Sequence, residues 1–154
     1  MNKKVILIFC VLAISAIFLF GCTGLGGSTF KDNGKEICRI EGKPVVRLYS
    51  TTWCPHCEWI RPTFDRVAKE YMDANKIMAY HWQLDTKDDS LTPEVEGTIP
   101  EAEVALFQQT NSEGSIPVFL IGCKYYRIGN GFEQKQDLNL EETELRRVFE
   151  EALK

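Results

Sequence analysis

Apolar and polar positions follow two rhythms along this chain. Val45-Val46-Arg47-Leu48-Tyr49 is a short β-branched and aromatic run that predicts a buried strand. From Cys57 to Met72 the apolar side chains Ile60, Phe64, Val67, Ala68 and Tyr71 recur at spacings of three and four, one face of a helix. Lys76 to Leu84 predicts a second strand, closed by Asp85 and a polar loop over Thr86 to Thr98. Pro100, followed by Glu101, Glu103, Val104, Leu106 and Phe107, predicts a helix ending near Asn111. Ile116 to Ile121 and Lys124 to Ile128 flank Gly122-Cys123 as a hairpin. Asn139 with Glu142 reads as a capping box for a last helix, whose buried face is Leu145, Val148, Phe149 and Ala152. The order strand, helix, strand, helix, hairpin, helix calls for an α/β fold, a mixed central sheet flanked by helices.

The N-terminus has a different pattern. Lys3 and Lys4 precede Val5 to Phe20, 16 residues without a charge, which is the pattern of an export signal. Leu19-Phe20-Gly21-Cys22 resembles a lipobox, in which cleavage before Cys22 leaves its sulfur carrying lipid, although Phe20 is larger than the residue usual there. The other reading is an uncleaved signal anchor, since the stretch approaches the roughly 17–25 residues that span a bilayer. Residues 1–21 are therefore a signal peptide or signal anchor, and both readings place the chain at the extracytoplasmic face of a membrane. Residues 22–34, rich in glycine and without apolar periodicity, read as a flexible spacer, and residues 35–154 as the folded domain. A length of 154 residues leaves room for one core. The net charge of −4 and the lack of any basic run argue against nucleic acid as a partner.

Six cysteines suit an oxidising compartment. Cys10 lies in the apolar stretch, Cys22 is the candidate lipid attachment site, Cys54 and Cys57 form a close pair, and Cys38 and Cys123 remain. The pair sits where the first strand gives way to the first helix. A helix N-terminus favours negative charge, so Cys54 is the candidate nucleophile and Cys57, one turn further in, the candidate resolving thiol. His56 between them brings a positive charge and a donor that stabilise the reduced pair and make its disulfide more oxidising. Half of a zinc site is the rival reading, but only Cys38, Cys123, His56 and His81 could complete it and none makes a second close pair. A structural Cys54–Cys57 bond would close too small a loop to stabilise much. No metal and no cofactor beyond the redox-active disulfide is expected. Asp85, Asp88, Asp89, Glu94 and Glu96 lack the spacing of a calcium loop and read as a solvated or partner-docking face.

Residues 53–71, WCPHCEWIRPTFDRVAKEY, resemble the active-site helix of thioredoxin-fold oxidoreductases: Trp53 before the first cysteine, two residues between the cysteines, and Pro62 at the family's helix proline. Ile116-Pro117 matches the loop whose proline is cis in that family. The resemblance covers Val45 to Ile128 and implies a thioredoxin fold with thiol–disulfide oxidoreductase activity. It also implies that Ile116 offers its backbone to an extended substrate segment beside Pro117, with Trp53 as an exposed platform. Read without the resemblance, Pro117 is a strand-entry proline and Trp53 a core residue. The Pro-His dipeptide is that of DsbA-type oxidases, which implies disulfide exchange with the thiols of exported proteins and a membrane redox partner that recharges the pair. The alternative is a membrane-tethered reductase of the same fold, for example in cytochrome maturation. One departure stands out: the family's buried carboxylate falls at Leu48, six residues before Cys54, so proton transfer needs another group or water. His81, on the neighbouring strand, either faces that pocket or is simply packed. In this fold the hairpin turn with Cys123 leaves the sheet at the end where Cys38 enters, so a second, structural disulfide is expected; the alternative is two unrelated thiols.

Overall fold

The structure is a computed structural model and describes residues 28–154. The charged N-terminus, the apolar stretch, Cys10 and Cys22 lie outside the described residues. Seven strands, β1 (Lys31–Asp32), β2 (Arg39–Ile40), β3 (Lys43–Ser50), β4 (Met78–Gln83), β5 (Asp88–Asp89), β6 (Val118–Ile121) and β7 (Tyr125–Ile128), accompany three α-helices. These are α1 (Pro55–Asp73), α2 (Glu101–Thr110) and α3 (Leu138–Leu153). The sheet runs β1-β7-β6-β3-β4-β5, with β2 paired to one end of β3. β3 is parallel to β4 and antiparallel to β6, so the sheet is mixed. Among the described residues no helix is long and apolar enough to cross a membrane.

Alternation along β3 sorts two cores. Val46 and Leu48 face α1 and α3, joining Ile60, Phe64, Val67, Leu145, Val148 and Phe149. Tyr49 faces the opposite way and packs with Trp82, Val118, Leu120 and Phe107 of α2. Arg47 shares that second face, where its Nε meets the Glu103 carboxylate at 2.7 Å and Tyr49 Oη donates to the same group at 2.8 Å. Glu103 therefore turns inward, rather than simply supplying negative charge to the first turn of α2. A second buried pair, Arg127 with Glu141, ties β7 to α3, and the Arg127 guanidinium lies 4.5 Å from the ring centres of both Phe30 and Phe119. Removing one member of such a pair strands a buried charge and costs about 3–5 kcal/mol.

Two sequence expectations need correction. The spacer over residues 22–34 does not extend to Gly34: Phe30 is buried in the core and β1 pairs Lys31 with Tyr126 and Asp32 with Tyr125. Glu144 of α3 accepts the Thr29 N–H at 2.7 Å, so residues ahead of Lys35 are already part of the folded domain. The last helix begins at Leu138 and its N-cap is Asp137, whose carboxylate accepts the Leu140 N–H at 2.9 Å; Asn139 is already inside the helix. Asp and Asn are similarly good caps, so composition alone did not separate them.

At the far end of β3, Glu41 (φ 51°) and Gly42 (φ 77°) form the left-handed turn that brings β2 back antiparallel. Cys38 is thereby laid beside the β6–β7 turn, where its N–H donates to Gly122 O at 2.8 Å. Gly122 has φ +60° and a side chain there would meet Ile37 at 2.9 Å, so this close approach requires glycine. Cys38 and Cys123 are joined in a disulfide with Cα atoms 5.5 Å apart, across a sequence separation of 85. Val46 pairs with Ile121 at this end, whereas Ser50 leads to Cys54 at the other, so the bridge is remote from the cysteine pair. Closing so long a loop stabilises a domain by about 2–4 kcal/mol. The double variant Cys38→Ala, Cys123→Ala is expected to melt about ten degrees or more lower, at roughly 4 °C per kcal/mol, while its Cys54–Cys57 exchange rate stays within about twofold of wild type. An unchanged melting temperature, or loss of exchange in folded protein, contradicts this assignment.

Candidate active site

β3 ends at Ser50, and Thr51-Thr52-Trp53 carries the chain to Cys54, the N-cap of α1. Asp85 fixes this short loop by accepting the Thr52 N–H at 3.1 Å. Pro55 opens the helix, where its missing N–H is no loss, and the Cys54 carbonyl accepts the Glu58 N–H at 2.9 Å. The remaining first-turn amides are available to a negative sulfur.

Both cysteines are free thiols and differ in cover: Cys54 is 4% exposed and Cys57 is wholly buried. Burial pushes the Cys57 thiol up to about 12; the Thr51 N–H and the Arg61 charge oppose the rise, and a hydrogen bond shared with the Cys54 sulfur adds to it. A thiol that holds its proton this tightly is a poor attacking group. Cys54, the less covered sulfur, is therefore the better candidate to meet substrate, and a Cys57 that attacks a mixed disulfide must first lose its proton.

His56 is exposed, with Nδ1 2.8 Å from Glu133 Oε1. Asn130 Nδ2 donates both to the His56 carbonyl and to Glu133 Oε2, each at 2.8 Å. Burial alone would raise the Glu133 carboxyl, but the hydrogen bonds from Asn130 and His56 and the His56 charge hold it below the usual carboxylate range. His56 thus carries an acidic partner, a feature the sequence did not suggest. Trp53 projects beside the pair with 72% of its surface exposed. The Ile116–Pro117 peptide bond is cis, and among the described residues the Ile116 N–H and C=O make no hydrogen bond within the protein. A groove of about 420 Å³ opens between His56 and Ile116, lined also by Asn130 and Glu133.

A family model described as Thioredoxin matches residues 28–113. The chain belongs to the thioredoxin family. Two curated relatives share shorter stretches. A candidate protein disulfide-isomerase of Schizosaccharomyces pombe is 27% identical over 66 residues, 43% of this chain and 13% of that protein. Bloodstream-specific protein 2 of Trypanosoma brucei brucei is 42% identical over 38 residues, 25% of this chain and 8% of the relative. The chain thus spans a small part of each relative's length. No solved structure matches significantly.

Within this thioredoxin domain Leu48 is fully buried, and the groups that stand in for a carboxylate there are of another kind. Arg61, one turn after Cys57 on α1, donates from Nη2 to the Thr51 carbonyl at 3.3 Å. Its Nε and the Thr51 hydroxyl are buried without a hydrogen-bond partner, leaving a donor and a hydroxyl unspent beside Cys57. His81 pairs with Leu48 across β3 and β4 but does not hydrogen-bond either cysteine. Its Nδ1 lies 2.5 Å from Asp65 and 2.8 Å from Ser90, and its Nε2 lies 2.7 Å from Ser50. Asp65, His81 and Ser50 have the order of a hydrolytic relay, but His81 and Ser50 are wholly buried and meet no substrate, so the set pins β4 to α1. The acidic loop is also structural: Asp89 accepts the N–H groups of His81 and Leu91, and Glu96 accepts that of Asp89. Among the described residues no group of three or more His, Cys, Asp or Glu is placed to hold a metal ion.

Pattern reading missed Arg61 as well as Glu133, because the place of Arg61 on α1 shows only in the i to i+4 step from Cys57. With the Arg61 charge removed, Cys57 is expected to rise further, and Arg61→Met should release substrate from the Cys54 mixed disulfide about tenfold more slowly near neutral pH, the effect of one pKa unit. The deficit should shrink in Arg61→Lys, which keeps the positive charge. Equal release rates at all pH values would separate Arg61 from the resolving step.

Proposed function

We propose that this protein is a membrane-tethered thiol–disulfide oxidoreductase that works outside the cytoplasm, oxidising the thiols of exported proteins through Cys54 and Cys57. The observation that carries the reading is the pairing of a helix-capping Cys54 with a wholly buried Cys57 that holds its proton. In the oxidising direction a substrate thiolate attacks the Cys54 sulfur of the Cys54–Cys57 disulfide, and Cys57 leaves and takes up a proton. A second substrate thiolate then attacks the substrate sulfur of the mixed disulfide, releasing Cys54 and a substrate disulfide. Two electrons and two protons enter the cysteine pair, which a membrane redox partner must reoxidise. The Cys38–Cys123 bridge is in keeping with an oxidising compartment. The apolar stretch before Cys22 supports the tether, through lipid at Cys22 or through an uncleaved anchor. Recovery of the full-length chain in a soluble fraction would remove it.

One observation favours the reverse direction, a reductase fed by a membrane electron donor. Glu133 sits 2.8 Å from His56 and weakens the charge that would stabilise a reduced Cys54. The reduction potential separates the two readings. An oxidase is expected near about −120 mV and a reductase near about −270 mV. Replacing His56 by leucine should lower the value. A potential near the reductase figure would reverse the direction proposed, and one unmoved in His56→Leu would take His56 out of the mechanism.

A further inference from the structure

The loop between β7 and α3 is held more firmly than its exposure suggests. Glu141, wholly buried, accepts the N–H groups of Gly131 and Phe132 at 2.9 and 2.8 Å through one carboxylate oxygen, while the other oxygen meets Arg127. Asn130 then bonds back to the His56 carbonyl, so the loop is pinned to the cysteine motif as well as to the core. Rigid placement of this kind presents Glu133 at the wall of the groove beside His56 and Ile116.

Glu133 is the one acidic side chain among the groove's lining residues, which otherwise supply amides, a glycine, Ile116 and His56. Its side chain is 23% exposed. Oε1 takes the His56 donor and Oε2 takes one Asn130 donor, so each oxygen keeps a lone pair for a further donor. The unpaired Ile116 backbone lies along the same groove and can align an extended substrate segment, whose side chains then fall against the loop.

We infer that Glu133 is a specificity-determining residue that selects substrate segments carrying a basic side chain, arginine above all, close to the cysteine under attack. This rests on the oxidoreductase reading above. A planar guanidinium can bind the two free lone pairs side by side, whereas an ammonium offers a point charge and a substrate carboxylate meets a like charge. The same contact sets a limit: a substrate with an acidic neighbour must bring its cysteine to Cys54 without the groove.

The test uses the reduced protein and cysteine peptides carried as mixed disulfides with glutathione, identical except for Arg, Gln or Glu flanking the cysteine. In each reaction the Cys54–Cys57 dithiol becomes a disulfide and two thiols, peptide and glutathione, are released, so electrons and protons balance. Wild type is expected to prefer the Arg peptide to the Glu peptide by about tenfold in kcat/KM, equivalent to one well-placed charge contact. In Glu133→Gln, which keeps the shape, the preference should fall to within about twofold, and in Glu133→Lys it should invert. A wild-type ratio near one, or a ratio unchanged in both variants, overturns the inference while exchange itself continues. Failure of the wild type to react with any peptide, and with glutathione disulfide, would instead remove the redox reading on which the inference stands.

Discussion

A thiol taken entirely out of water keeps its proton, and the site is arranged around that constraint at Cys57. Its burial in the first turn of α1 leaves Cys54, at the helix N-cap, the less covered of the two sulfurs. The same burial means that every turnover must move one proton through the core side of the site. Leu48 stands at the position where the thioredoxin resemblance expects a carboxylate, and the influences opposing the burial of Cys57 come from the Thr51 amide and from Arg61. A positive charge stabilises the thiolate itself, whereas a carboxylate would act by accepting its proton. Arg61 therefore acts on Cys57 as a charge and not as a proton acceptor.

Around this centre the fold supplies rigidity from both sides. The parallel pairing of β3 with β4 sets the loop that delivers Cys54, and Asp85 just beyond β4 holds Thr52 in place. On the other side the buried Arg127–Glu141 pair fixes the loop that carries Asn130 and Glu133 against His56. These charged pairs are buried with their hydrogen-bond partners present, which is the condition for such groups to specify a structure rather than weaken it. The disulfide stands at the opposite end of β3, where it staples the incoming chain to the β6–β7 turn.

Much of this was legible in the residue pattern, and the parts that were not share a physical cause. Alternation and helical spacing located every element longer than three residues, because the two cores are built from the apolar positions themselves. The cysteine pair, the Ile116–Pro117 loop and the Cys38–Cys123 contact followed from motif and topology. Residues 28–34 read as linker because their glycine and polar content is local, while the burial of Phe30 depends on β7 and Arg127, about a hundred residues away. Glu103 was legible only as an acid in the first turn of a helix for the same reason: Arg47, the partner that turns it inward, is remote in sequence. The single warning was Arg47, a charge in the middle of an apolar strand, which signals a buried counter-charge without naming it.

The division of labour between the two cysteines is the claim from which the rest follows, and trapping tests it directly. Single Cys54→Ser and Cys57→Ser variants, each incubated with an unfolded disulfide-bonded protein, can be quenched in acid and scored for covalent adducts without reductant. Cys57→Ser is expected to accumulate a stable mixed disulfide through Cys54, and Cys54→Ser to form none. Adducts through Cys57 in the Cys54→Ser protein, with none in the converse variant, would contradict the account.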